Sequence, residues 1–176
     1  TKYRRHVLML HPHTVIVYDE LEASEAVRWE WLLHSPTEFK MDATKKTLST
    51  NNKTKGWVAV TQLFGGHVFT LSQTDRFVVP PAITGAEYPN QWHLTARVDG
   101  CSATRFLAII QVGDEAVSII NRDGDTFNVG DWTVKAVLDA SKAPELTVSH
   151  RTEQAVFSYG TDNPALNGNF YSRQYT

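Results

Sequence analysis

The sequence predicts an all-β protein, an antiparallel β-sandwich of stacked sheets in a supersandwich-like arrangement. Three observations predict it. Short runs of β-branched and aromatic residues follow one another along nearly the whole chain, and such residues suit half-buried strands. Gly, Asp, Asn and Pro clusters punctuate those runs at regular spacing. No stretch carries a sustained 3.6-residue apolar period, and no helix cap precedes one.

The elements follow in order. Tyr3 to Leu10 forms the first strand, His11-Pro12-His13-Thr14 the turn, and Val15 to Asp19 the second strand of a hairpin. Leu21 to Ala26 is acidic and reads as a turn. Val27 to His34 alternates, with Val27, Trp29 and Trp31 on one face and Arg28 and Glu30 on the other. Phe39–Ala43 and Thr47–Thr50 flank a lysine pair, and Asn51 to Gly56 has turn chemistry. Trp57 to Leu63 alternates, Gly65-Gly66 breaks it, and His67 to Gln73 resumes. A long loop runs from Val79 to Gln91, with Pro80-Pro81, Gly85 and Pro89 in it. Trp92 to Val98 alternates again and Asp99-Gly100 closes it. Arg105–Val112, Ala116–Asn121, Thr126–Val129, Trp132–Leu138, Leu146–Arg151 and Gln154–Tyr159 complete the strands. Residues 1–160 are expected to form the sandwich, and residues 161–176 a C-terminal tail packing on it.

With 176 residues, 41% of them hydrophobic, the chain can build one domain with a real core or two thin ones. The net charge of -2 gives no electrostatic case for nucleic acid as the main partner. A local basic patch on an otherwise balanced surface stays open to a polyanion. Cys101 is the only cysteine, so an intramolecular disulfide is impossible and a cysteine-based zinc site is not expected. No apolar run of these 176 residues is long enough for a membrane-spanning helix or has the pattern of a signal peptide. The chain opens on Thr1-Lys2-Tyr3 directly into a strand, which leads to the expectation of a fragment of a longer protein.

Three segments carry a family likeness: Tyr3 to Pro12, with Arg4-Arg5; Val15 to Ala23, with Asp19; and Trp29 to His34, with Trp31 and His34. In that order they resemble the C-terminal β region of heparinase II/III-like proteins, where an Arg-rich strand leads to a strand ending in an aspartate and then to a W-x-x-H strand. Arg105 to Gln111 is similar to a late strand of the same region. The resemblance spans about the first two-thirds of the chain. It implies a bacterial, periplasmic or secreted polysaccharide lyase as the parent protein, with a helical toroid domain upstream and an acidic polysaccharide as partner. Such an enzyme cleaves uronate polymers by β-elimination. That reaction needs a base for the C5 proton, neutralisation of the carboxylate and an acid for the leaving oxygen. In the family those residues, and any structural zinc, precede the part present here. No catalytic residue, metal ligand or cofactor is therefore carried over.

The candidate binding residues are Tyr88, Trp92, His93 and Arg97, grouped around the end of the long loop, where an exposed indole would face a saccharide. Trp29, Trp31, Trp57 and Trp132 read as core. His11 and His13 share a strand parity but sit about Pro12 and lack a third ligand, so they read as turn histidines. Arg4, Arg5, Arg28, Arg97 and Arg105 read as solvated faces, with Arg4 and Arg5 pointing opposite ways. Asp123-Gly124-Asp125 lacks the later oxygen ligands of a calcium loop and reads as a tight turn. No Gly-x-Ser-x-Gly elbow appears. Two functional expectations follow: a non-catalytic C-terminal domain of a lyase, or a free-standing carbohydrate-binding module.

Overall fold

A computed structural model describes residues 1–42, 47–52, 56–77, 79, 90–113, 120–152 and 155–161, with the backbone alone at 52, 57, 155 and 156. The protein is all-β, with no helix among the described residues. The strands are β1 (Lys2–Leu10), β2 (Thr14–Ser35), β3 (Lys40–Asp42), β4 (Thr47–Asn52), β5 (Trp57–Gly65), β6 (Thr70–Thr74), β7 (Trp92–Gly113), β8 (Ile120–Asp123), β9 (Thr126–Val129), β10 (Trp132–Ala136), β11 (Leu146–His150) and β12 (Ala155–Tyr159). A seven-stranded sheet runs β1-β2-β7-β5-β4-β3, with β6 also pairing β7. A five-stranded sheet runs β12-β11-β10-β9-β8. The ladders are antiparallel throughout. The antiparallel sandwich expected from the sequence is the architecture found.

Alternation sorts the side chains. Leu8 and Leu10 of β1, Ile16 and Tyr18 of β2, and Leu107 and Ile109 of β7 share one face of the large sheet. They meet Phe127, Val129, Val134, Ala136, Leu146 and Val148 of the small sheet, and this is the first core. Burying each such side chain stabilises the fold by about 1.5–3 kcal/mol. The opposite face carries a second core, with Leu21, Trp31, Leu94, Ala96, Val98 and Phe106 at its centre. Phe39 and Leu48 belong to it too. Gln73 of β6 accepts from the Phe39 N–H at 3.0 Å and donates to the Phe39 carbonyl at 2.9 Å. The far edge of the sheet is thereby tied back beside β7, so the sheet curls over its own second core.

Two expected boundaries dissolve. The acidic segment Leu21–Ala26 is no turn, because β2 continues through it to Ser35. Asp99-Gly100 does not end a strand, because β7 continues to Gly113. The reason is that the two strands are partners along nearly their whole length, and an irregularity in one is met by an irregularity in the other. The register shifts between Glu22 and Val27 and again between Val27 and Trp29, opposite the stretch from Ala103 back to Val98. Gly100 sits there with φ of 73°, a conformation that a Cβ disfavours. The strand expected from His67 begins only at Thr70, and that expected from Ala116 is seen from Ile120. The core of the long loop and the tail beyond Thr161 lie outside the described residues.

Gly66 fixes the joint between the two sheets. Its N–H donates to the Arg105 carbonyl at 3.0 Å. A Cβ there would lie 2.1 Å from the Leu138 carbonyl oxygen, which is backbone and cannot swing away. Gly66→Ala is expected to cost about 2 kcal/mol or more in urea unfolding. Gly56→Ala meets open space and only backbone strain at φ 68°, so it should cost about 1 kcal/mol.

Candidate functional site

β1 carries Arg4-Arg5 and β2 carries Asp19-Glu20. The ladder sets Arg4 across from Glu20 and Arg5 across from Asp19. Successive side chains of a strand point to opposite faces, so each Arg–carboxylate pair is delivered to a different face.

The inner pair lies at the rim of the first core. Glu20 is 1% exposed, yet it is ionisable. Its Oε2 accepts from the Lys2 ammonium at 3.2 Å, while its Oε1 has Arg4 Nη1 at 3.9 Å and His6 Nε2 at 4.0 Å. Neither Glu20 Oε1 nor His6 Nε2 has a hydrogen-bond partner among the described residues. Arg4 donates to the Tyr159 hydroxyl, and the Tyr159 ring lies 4.3 Å from that of His6. Burial pushes the Tyr159 phenol up, and the neighbouring Glu20 carboxylate adds to this. Tyr18, fully buried, donates to the Val137 carbonyl at 2.8 Å, and burial raises its pKa well above the ordinary phenol value. Arg105, across from Glu20, was expected on a solvated face but is 4% exposed. It donates to the carbonyls of Val137, Asp139 and Lys142 at 3.1, 2.8 and 2.7 Å. The sequence hides this because the acceptors are main-chain atoms more than thirty residues away.

The outer pair builds the candidate site. Arg5 donates from Nε to Asp19 Oδ1 at 2.6 Å and from Nη2 to Oδ2 at 2.8 Å. The side chain of Asp19 is 1% exposed and that of Arg5 is 38% exposed, so the pair presents only its guanidinium side outward. It lies in a pocket of about 380 Å³ with Tyr3, Trp29, Glu30 and Trp31 among its walls. The Arg5 guanidinium sits 5.6 Å from the centre of the Tyr3 ring. Trp29 is half-buried, and its indole N–H donates to the Cys101 carbonyl at 3.0 Å, which fixes the ring. Both faces of β2 contribute because β1 pairs only as far as Glu22, leaving the edge of β2 beside it to form the wall. A volume of this size suits a small organic ligand, with a few polar groups to orient it.

Of the four residues expected to bind, the three that are described do not share one face of β7. Tyr88 lies outside the described residues. Trp92 is not the exposed platform expected: it is half-buried and packs on the second core. His93 and Arg97 differ from it by odd steps along β7 and so take the other face. His93 instead meets His34 edge-on at 4.5 Å and Phe77 at 4.8 Å. Arg97 donates from Nε to Asp99 at 2.7 Å, and Arg28 reaches the same carboxylate at 3.0 Å. The hydrogen bond from Arg97, helped by Arg28, holds the Asp99 carboxyl below its usual range. Trp31 is core, as expected, and Trp132 packs against the first core. The Trp57 side chain lies outside the described residues. No group of three or more His, Cys, Asp or Glu able to hold a metal occurs among the described residues.

No family model matches the sequence, and no curated protein matches it.

Two outcomes follow from the paired charges. Arg5→Met strands Asp19 in a buried position and should destabilise by about 2–3 kcal/mol, more than Asp19→Asn, which leaves Arg5 with access to water; urea unfolding of both variants checks the order. For His6, burial is the largest influence and lowers the pKa from 6.5, opposed by Glu20 and Asp19 and assisted by Arg4. The unfolded chain therefore binds a proton before the folded chain does. The stability of the neutral ring is fully present above pH 6.5 and is lost as pH falls from there towards the lower folded value. Denaturation between about pH 7.5 and about pH 5 should show a shallower decline for His6→Gln than for the wild type.

Proposed function

We propose that this chain is the non-catalytic C-terminal β-sandwich domain of a heparinase II/III-like polysaccharide lyase, and that it contributes a glycan-contacting surface to that enzyme. The parent cleaves uronate-containing polysaccharide by β-elimination, in the periplasm or outside the cell, with the proton-transfer groups supplied by an upstream helical toroid domain. The observation that carries the reading is the outer pocket. The three segments behind the family likeness each send a residue to it: Arg5 from the arginine strand, Asp19 from the strand ending in aspartate, and Trp31 from the strand that runs to His34. An aromatic wall beside a guanidinium held in place is the chemistry that holds a pyranose, whose apolar face packs on rings while its oxygens accept hydrogen bonds. The same pocket would serve a free-standing carbohydrate-binding module, the second reading.

Incubation of the chain with heparan sulfate, alginate and related uronate polymers should yield no unsaturated product, while a glycan array should register binding. Turnover by the chain alone would overturn the non-catalytic assignment. Joining the chain to its upstream sequence separates the two readings, because lyase activity in the longer protein is expected only under the first.

A further inference from the structure

We infer that two copies of this chain pair through β1, antiparallel about His6, so that their large sheets run on as one. β1 is the end strand of the seven-stranded sheet and, among the described residues, pairs with β2 alone. Edge strands are commonly protected by a bulge, a proline, a short length or a charge set against an incoming chain. β1 is nine residues long, contains neither Pro nor Gly, and matches β2 residue for residue from Lys2 to Leu10. Its cations are turned to β2: Lys2 and Arg4 lie against Glu20, and Arg5 holds Asp19 in a bidentate pair. Beyond them the outer face of the strand is apolar, with Val7 52% and Met9 60% exposed.

The order of residues along β1 selects a second copy over a foreign strand. Lys2, Arg4, Arg5 and His6 fill its first half, and Val7, Leu8, Met9 and Leu10 its second. Antiparallel alignment lays one half over the other. The register centred on His6 pairs all nine residues and sets Lys2 across from the partner's Leu10, Tyr3 from the partner's Met9, Arg4 from the partner's Leu8 and Arg5 from the partner's Val7. No lysine or arginine then faces another. Centring on Arg5 would set that residue against its own copy, and centring on Val7 would leave Lys2 and Tyr3 without a place in the ladder. Opposed side chains of an antiparallel pair share a face, about 4.5–5.5 Å apart at Cβ. The partner's Met9 therefore meets the Tyr3 ring, a sulfur–aromatic contact, and the Arg5 stem covers the partner's Val7. Tyr3 and Arg5 line the outer pocket, so the partner's Met9 extends that pocket's wall past Tyr3. Nine paired residues add about eight to ten main-chain hydrogen bonds, an interface at the small end of the specific range.

Sedimentation velocity of the chain from about 1 to about 200 µM tests the inference, with a monomer–dimer equilibrium in the micromolar range expected. Amide hydrogen exchange of the unaltered chain should slow within Lys2–Leu10 as the concentration rises through that range. Val7→Lys places a lysine across from the partner's Arg5 twice in each dimer and should raise the dissociation constant about tenfold or more. Val7→Glu offers the same arginine a carboxylate and should bind about tenfold or more tighter than Val7→Lys. A chain that stays monomeric up to about 200 µM would overturn the inference. A dimer that leaves exchange in β1 unchanged would overturn its placement on this edge. Equal strength in Val7→Lys and Val7→Glu would overturn the register about His6.

Discussion

The structure depends on one constraint: β2 and β7 stay paired along almost their full 22-residue lengths, and each face of that ribbon has a core of its own. One face, with Tyr18 and Leu107, meets the small sheet. The other, with Trp31, Leu94 and Phe106, is enclosed by the curl of the large sheet itself. A ribbon buried on both faces near Tyr18–Leu21 and on one face beyond must keep its register, because a slip of one residue exchanges the two sets of side chains. The register shift between Glu22 and Trp29 and the positive φ of Gly100 let it bend without breaking that order. Mixed residues such as Thr104 and Arg105 are buried for the same reason. They sit where the ribbon passes from one environment to the next, and main-chain carbonyls of the loop after β10 satisfy Arg105.

The pairing of Arg4-Arg5 with Asp19-Glu20 follows from the same geometry. Alternation splits each doublet, and the ladder matches the halves. The inner half ties the end of β12 to β1 through Tyr159 and leaves a buried carboxylate with several cations near it and, among the described residues, a hydrogen bond from Lys2 at 3.2 Å. Pairing is what makes such burial tolerable, since an unpaired charge there would cost several kcal/mol, about 3–5 by comparison with other buried pairs. The outer half is tighter and bidentate. Its rigidity removes the Arg5 side chain from the conformations that a free surface arginine samples, and a group already held in place loses little entropy when it binds something else.

Much of this is legible in the sequence, and the rest fails for definite reasons. The all-β character, the β1–β2 hairpin and the opposite facing of Arg4 and Arg5 follow from local pattern alone. The continuity of β2 through Leu21–Ala26 does not, because a run with two glutamates and a serine reads as a turn until Lys2 is known to lie across from Glu22. Asp99-Gly100 reads as a turn for the same reason, since a positive-φ glycine marks a bulge and a hairpin alike. The expected site around Trp92 rested on nearness along the chain to the long loop. Strand parity already set Trp92 against His93 and Arg97, and that was the signal to follow. Asp19 and Glu20 were readable as a pair only by laying the hairpin register over the arginine doublet, which the short His11–His13 turn permits.

The outer pocket is a consequence of unequal strand lengths rather than of a loop. β1 ends its pairing at Lys2 with Glu22, while β2 runs on to Ser35 with β7 on its other side. Where the neighbour stops, the sheet steps down, and the step is walled by Tyr3 and Arg5 on one side and by the Trp29–Leu32 edge on the other. The unpaired edge of β2 borders the step, which is why consecutive residues from Trp29 to Leu32 line it together. Loops change shape at little cost, whereas a step in a paired sheet keeps its depth as long as the ladder holds. Its floor is Asp19, whose position is set by the same ribbon that separates the two cores. The depth of the pocket is therefore tied to the ladder that orders the fold, and its chemistry can change at the exposed Tyr3 without disturbing what lies beneath.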